Sequence, residues 1–125
     1  MIYLVDDDKY VLRGFQILLR SANLESKSYE NVECFLKEWH QEVSDILILD
    51  IHMPGLNGCD LMAWLKESEL HLPVIIVTAF DEAESREMAE NYGALAYFTK
   101  PVDPEKLLDL IKNELVKHGV PKVEF

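Results

Sequence analysis

Basic residues are scarce: 12 lysines and arginines stand against 23 aspartates and glutamates, and the formal net charge is −11. Such a surface repels a polyanion rather than steering it in, so direct nucleic-acid binding is not expected. Long apolar runs are missing too. The longest are Ile2–Val5, Ile46–Leu49 and Val74–Val77, far short of the roughly 20 residues that span a bilayer. Asp6 interrupts the first run before it reads as a signal peptide. No membrane association is expected, and the chain reads as cytoplasmic. The two cysteines, Cys34 and Cys59, have no CxxC spacing, so reduced thiols are expected rather than a disulfide framework. The four histidines (His40, His52, His71, His118) lack metal-ligand spacing, which argues against a zinc site. Glycine and proline, five of each, are nowhere concentrated into a linker.

What is present is a regular alternation. With 125 residues, 49% of them hydrophobic, the chain can bury one core, and one domain is expected. Short apolar runs end in polar or turn residues, and each leads into a stretch of helical periodicity. Ile2–Val5 precedes a helix over 8–22 with Val11, Phe15, Leu18, Leu19 and Ala22 as its apolar stripe. A weaker strand at 26–29 precedes Val32, Phe35, Leu36 and Trp39 at helical spacing. Ile46–Leu49 leads through Pro54 and Gly55 to a helix carrying Leu61, Met62, Trp64 and Leu65. Strand 74–78 precedes a charged helix from Glu82 to about Tyr92, ended by Gly93. Strand 96–99 precedes a last helix opened by Asp103-Pro104, an N-cap followed by proline in the first turn. Leu107, Leu108, Ile111 and Leu115 are its expected buried face. Five strand–helix units predict an α/β fold with a parallel sheet covered on both faces. In such folds the binding crevice lies at the carboxyl ends of the strands.

Those ends carry the chemistry. Asp6, Asp7 and Asp8 follow the first strand and Asp50 the third; Thr78 ends the fourth, and Lys100-Pro101 follows the fifth. Carboxylates from Asp6, Asp7 and Asp50 in one crevice repel one another unless a cation neutralises them. A hard divalent ion with oxygen ligands does so, and Mg²⁺ fits, with Mn²⁺ not distinguished. Asp50 then offers a carboxylate nucleophile for phosphoryl transfer, with the metal, the Lys100 ammonium and the Thr78 hydroxyl to hold the transferred group. Taken singly, each residue has a plainer explanation. Asp8 can cap a helix, Asp50 can shape a turn, Thr78 can be a β-branched strand residue, Tyr97 a strand aromatic and Lys100 a solvated charge. The functional reading accounts for all of them together.

The motifs Val5-Asp-Asp7, Leu49-Asp-Ile-His-Met-Pro-Gly55 with Gly58, Val77-Thr-Ala79, Gly93-Ala94 and Tyr97-Phe-Thr-Lys-Pro101 occur in order along the chain. In this arrangement the sequence resembles the receiver domains of bacterial two-component response regulators. The resemblance runs from Ile2 to the last helix. It implies a flavodoxin-like (βα)5 fold with strand order 2-1-3-4-5, a receiver domain over 1–119, and a tail or the start of a linker over 120–125. It further implies Asp50 as phosphoacceptor. Asp7 would be the direct metal ligand, Asp6 would act mainly through water, and the backbone carbonyl of His52 would be the third protein ligand. Thr78 and Lys100 would grip the phosphoryl group, Tyr97 would follow Thr78, and the bond before Pro101 would be cis. The implied donor is a sensor histidine kinase or a histidine phosphotransfer protein. The implied output is a change on the face formed by the fourth helix, fifth strand and fifth helix, read by a partner, an attached effector domain or a second copy in a phosphorylation-dependent homodimer. The expected behaviour is that of a self-phosphorylating and self-dephosphorylating switch rather than a turnover enzyme.

Tyr10, Gly14 and Ile17 lie off the first helix's core stripe and are expected to meet the histidine donor, while Leu110, off the buried stripe of the last helix, is expected to serve a partner or dimer contact. His52 and Phe80 sit two residues beyond Asp50 and Thr78, where a bulky Phe80 is expected to shield the acyl phosphate. Other readings fit less well. A flavodoxin-type electron carrier needs a hydroxyl- and glycine-rich phosphate cradle where Asp6-Asp7-Asp8 stands. A haloacid-dehalogenase-like phosphatase needs a second aspartate where His52 stands, and GxxxxGK[ST] is absent. A receiver-fold module that signals without phosphorylation remains the main rival.

Overall fold

The computed structural model describes residues 1–40, 45–52 and 58–117. In chain order the elements are β1 (Ile2–Val5), α1 (Lys9–Ser21), β2 (Ser26–Tyr29), α2 (Val32–Glu38), β3 (Ile46–Asp50), α3 (Gly58–Glu67), β4 (Val74–Thr78), α4 (Ala83–Asn91), β5 (Ala96–Thr99) and α5 (Pro104–Lys117). The strands form one sheet in the order β2-β1-β3-β4-β5, parallel throughout. This is the flavodoxin-like order expected from the sequence. Because side chains alternate along a strand, the sheet has two distinct faces. Tyr3, Val5, Leu47, Leu49, Val74 and Ile76 pack with α2, α3 and α4 through Phe35, Leu61, Leu65 and Ala89. Ile2, Leu4, Ile46, Ile48, Ile75 and Val77 pack with α1 and α5 through Leu12, Leu19, Leu107 and Ile111. Burial on both faces explains why β3 and β4 read as unbroken apolar runs.

Local chemistry sets the helix ends. The Asp8 carboxylate accepts hydrogen bonds from the N–H groups of Tyr10 and Val11, Asn31 accepts from Cys34, and Asp103 accepts from Glu105 and Lys106. Each supplies a partner for N–H groups that the first helical turn leaves unpaired. Gly93, at φ 71°, ends α4: its N–H donates to Glu90 O, and that of Ala94 to Ala89 O. This is the paired-bond stop that favours glycine in the left-handed region. Asn23 ends α1 in the same way at φ 61°.

Several packing expectations need correction. On α1 the buried residue of the first turn is Leu12 rather than Val11, which is half-buried, as are Phe15 and Leu18. Trp64 is exposed on α3 while Leu61, Met62 and Leu65 turn inward. On α5 Leu108 is half-buried and Glu114 joins the buried face. Met53 to Gly55, His118, and the tail expected at 120–125 lie outside the described residues. Among the described residues no helix is long and apolar enough to cross a membrane.

Candidate functional site

The register places Val5 beside Leu49 and Asp50 beside Val77, so β1, β3 and β4 end together. The order reverses between β1 and β3, since β1 continues outward to β2 while β3 continues to β4 and β5. That reversal is where parallel α/β sheets open a crevice. Asp6 emerges there from β1, Asp50 is the last residue of β3, and Asp7 stands at the mouth. One carboxylate oxygen from each of Asp6, Asp7 and Asp50 lies within 4.8 Å of the others. Asp6 and Asp50 are buried and Asp7 is exposed.

Lys100 reaches the cluster from the other side. Its backbone N–H donates to Thr78 O at 2.7 Å, carrying the β4–β5 pairing past Thr99. Its ammonium donates to Asp6 Oδ2 at 2.8 Å and to Asp50 Oδ2 at 3.1 Å. The remaining oxygens are also engaged: Asp50 Oδ1 accepts from His52 N–H at 2.9 Å and Asp6 Oδ1 from Asp8 N–H at 2.9 Å. Burial raises the Asp50 pKa above the ordinary carboxylate value and the Asp6 charge adds to this, while the His52 N–H and Lys100 pull it back. For Lys100, burial is the largest single influence and acts downward. Its hydrogen bond to Asp6 and the charges of Asp50 and Asp6 outweigh it, so the ammonium is held above its ordinary pKa. Three carboxylates and one ammonium leave two negative charges, all on oxygen donors. That donor set fits a hard divalent cation such as Mg²⁺ or Mn²⁺.

The remaining predicted residues surround this cluster. Thr78 is fully buried, and its hydroxyl donates to Phe80 O and accepts from Phe80 N–H, both at 3.1 Å. The Lys100–Pro101 bond is cis. The His52 ring stands edge-on to Phe80 with centroids 5.5 Å apart, and its Nε2 lies 3.8 Å from Glu82; Phe80 is 62% exposed. Tyr97 is half-buried on β5. Its hydroxyl oxygen is out of reach of solvent. Of the expected docking residues, Tyr10 and Ile17 are 78% and 60% exposed. A Cβ on Gly14 between them would meet nothing within 4 Å. Leu110 instead packs half-buried against the α1–α5 side of the core and offers less surface than expected.

One feature of the site was not anticipated. Arg86, on α4, donates to both carboxylate oxygens of Asp81 at 2.6 and 2.9 Å and lies 4.8 Å above the Tyr97 ring. The hydrogen bonds from Arg86 hold the Asp81 carboxyl below its ordinary pKa, with smaller pulls from the Arg86 charge and from a hydrogen bond of the Tyr97 hydroxyl. The two residues stand five apart, too far for neighbours on one helix face, so no sequence spacing announces the pair.

The flavodoxin-like sheet thus gathers three carboxylates at its switch point around a lysine that follows the last strand. The family model for the response regulator receiver domain matches residues 2–112, and the chain belongs to that family, the receiver domains of two-component response regulators. It is 33% identical over 115 residues to the response regulator protein TodT of Pseudomonas putida, covering 92% of this chain and 51% of that protein. It is 35% identical to the response regulator protein TmoT of Ectopseudomonas mendocina, covering 92% and 52%. The chain therefore spans about half the length of these curated relatives. Among solved structures, a CheY-like response regulator receiver domain protein from Methanospirillum hungatei superposes with a TM-score of 0.83 at 28% identity, covering 94% of each chain.

Proposed function

We propose that this domain accepts a phosphoryl group on Asp50 from a phosphorylated histidine of a sensor kinase or phosphotransfer protein. The observation that supports this most is the Lys100 ammonium bridging Asp6 and Asp50 inside the acidic cluster. It marks the position where a doubly charged phosphoryl group has to be neutralised. An Asp50 carboxylate oxygen forms the new O–P bond, the P–N bond to the donor imidazole breaks, and its electron pair leaves with the imidazole. Lys100 then turns from Asp50 toward the phosphoryl oxygens, and Thr78 exchanges its bonds to the Phe80 backbone for one to the same group. Asp6, Asp7, Asp50 and the His52 backbone carbonyl are the residues that would hold Mg²⁺, or Mn²⁺ in its place. The bound cation supplies charge neutralisation on the transferred oxygens. Hydrolysis of the acyl phosphate by water resets the switch.

The phosphorylated state differs from the resting one at α4, β5 and α5, and that face addresses a partner, an attached output domain or a second copy of the chain. The relatives, about twice as long, leave room for an attached domain. The exposed Tyr10, Gly14 and Ile17 strip, one edge of α1 beside the acidic mouth, suits a donor that must bring a phosphohistidine to Asp50. Phosphoryl uptake from a cognate donor and from acetyl phosphate separates these claims. Ile17→Glu should slow transfer from the protein donor at least about tenfold, a loss of roughly 1.4 kcal/mol, and leave acetyl phosphate uptake unchanged. Equal rates from the protein donor would remove α1 as the docking strip.

A further inference from the structure

α4 is poorly supplied with what holds a helix in place. Only Ser85 and Ala89 of its nine residues are buried, its N-cap Glu82 makes no side-chain hydrogen bond, and its last turn holds no basic residue. That turn ends in carbonyls without partners inside the helix, where partial negative charge collects, and Glu90 adds a full one. The missing cation arrives from α3. The Lys66 ammonium donates to Asn91 O at 3.1 Å and lies 5.6 Å from the centre of the Tyr92 ring. The other end of α3 is closed on the strand that bears Asp50. Gly58 lies so near Ile51, the residue after Asp50, that a Cβ would stand 2.9 Å from Ile51 Cα. One helix of ten residues thus meets the backbone beside Asp50 at its start and grips α4 through its last turn.

We propose that Lys66 caps α4 from outside and makes α3 a lever between Asp50 and α4. The inference rests on the reading of Asp50 as phosphoacceptor and of α4 as part of the responding face, and it names the residue that ties the two. The Lys66 bond accompanies the arrangement in which Lys100 holds Asp50 and Thr78 holds the Phe80 backbone. A helix moves as a rigid element, and the contact at Gly58 leaves no slack to absorb a displacement of Ile51. Backbone movement beyond Asp50 therefore passes along α3 and strains the bond at Asn91. Once that bond opens, α4 keeps only Ser85 and Ala89 as buried anchors. The linkage is reciprocal: removing Lys66 must favour the phosphorylated arrangement by the factor by which phosphorylation weakens the bond. Lys66 is exposed, so the bond opens at small cost to the fold. It acts through α4 and touches no reacting atom, which makes it a positioning residue.

The test joins amide hydrogen exchange on the intact chain, which reads local opening, to the affinity for beryllofluoride with Mg²⁺. In Lys66→Met the amides of Tyr92, Gly93 and Ala94, whose bonds close α4, should exchange about two- to fivefold faster, the ordinary worth of a cation at a helix C-terminus. Beryllofluoride affinity should rise by about the same factor. Lys66→Arg should restore both, since a guanidinium donates to a carbonyl and stacks on a ring. Lys37→Met, which takes the same charge from the last turn of α2, should change neither. Unchanged exchange at these amides in Lys66→Met, or an equal rise in Lys37→Met, overturns the cap and the lever together. Faster exchange with unchanged or weaker beryllofluoride binding overturns the lever, by reducing Lys66 to a local contact. Absence of beryllofluoride binding in the unmutated chain would instead sink the phosphoacceptor reading, and the lever with it, while the exchange comparison still decides what caps α4.

Discussion

At the scale of single residues, opposed forces meet wherever a polar group is buried. Asp50 is pushed toward the neutral acid by burial and by Asp6, and drawn back by Lys100 and the His52 N–H. The carboxylate needed as nucleophile is thus kept by its partners, not by solvent. Tyr29 shows the same competition without a catalytic purpose. Its phenol donates to Glu38 Oε2 at 2.6 Å, and burial, then that bond and the Glu38 charge, raise its pKa well above the ordinary 10.0. The folded chain therefore keeps a proton that the unfolded chain gives up as pH passes 10, and stability must fall as pH rises beyond that value. Denaturant titrations at pH 9 and 11 should show this alkaline loss in the unmutated protein and a smaller one in Tyr29→Phe. Equal losses in the two would contradict the assignment. Sequence alone could not supply this pair, because Tyr29 ends β2 while Glu38 ends α2, and only their packing brings them together.

At the scale of elements, the sequence was legible where burial imposes a simple period. Ile46–Leu49 and Val74–Thr78 could hardly be other than central strands, and Asp8 and Asp103 stand where helices need acceptors. On α1 the pattern was ambiguous. Val11 and Leu12 both precede Phe15, Leu19 and Ala22 at helical spacing, and only the way α1 crosses the sheet selects Leu12. The acidic cluster was legible because strand ends in a parallel sheet converge. The Asp81–Arg86–Tyr97 contact was not, because it joins a loop, a helix and a strand with no shared period. Gly58, which begins α3, shows a constraint that geometry makes explicit. A Cβ there would lie 2.7 Å from Ile51 Cγ2 and 2.9 Å from Ile51 Cα. The second contact is with backbone just beyond Asp50 and cannot be relieved by a rotamer change. Gly58→Ala should therefore destabilise by about 1–3 kcal/mol, the usual cost of overpacking, seen as a lower denaturation midpoint. A midpoint within experimental scatter of the unmutated protein would mean that α3 can retreat from Ile51.

At the scale of the whole molecule, a net charge of −11 makes the acidic cluster a sink for cations as well as a source of strain. A dication bound only by the folded state stabilises it by mass action, about 1.4 kcal/mol at ten times its dissociation constant. For a domain of this size that amounts to a rise of about 4 °C in Tm. Millimolar Mg²⁺ should produce it in the unmutated protein and in Asp109→Asn, whose carboxylate lies on α5 away from the cluster, but not in Asp7→Asn. A rise of the same size in all three would mean general screening of surface charge, not a site. The central claim is the covalent one, and intact mass after incubation with acetyl phosphate and Mg²⁺ tests it most directly. The account predicts one added phosphoryl group on the unmutated chain, and none on Asp50→Asn or in the presence of EDTA. An adduct that persists in Asp50→Asn would contradict it.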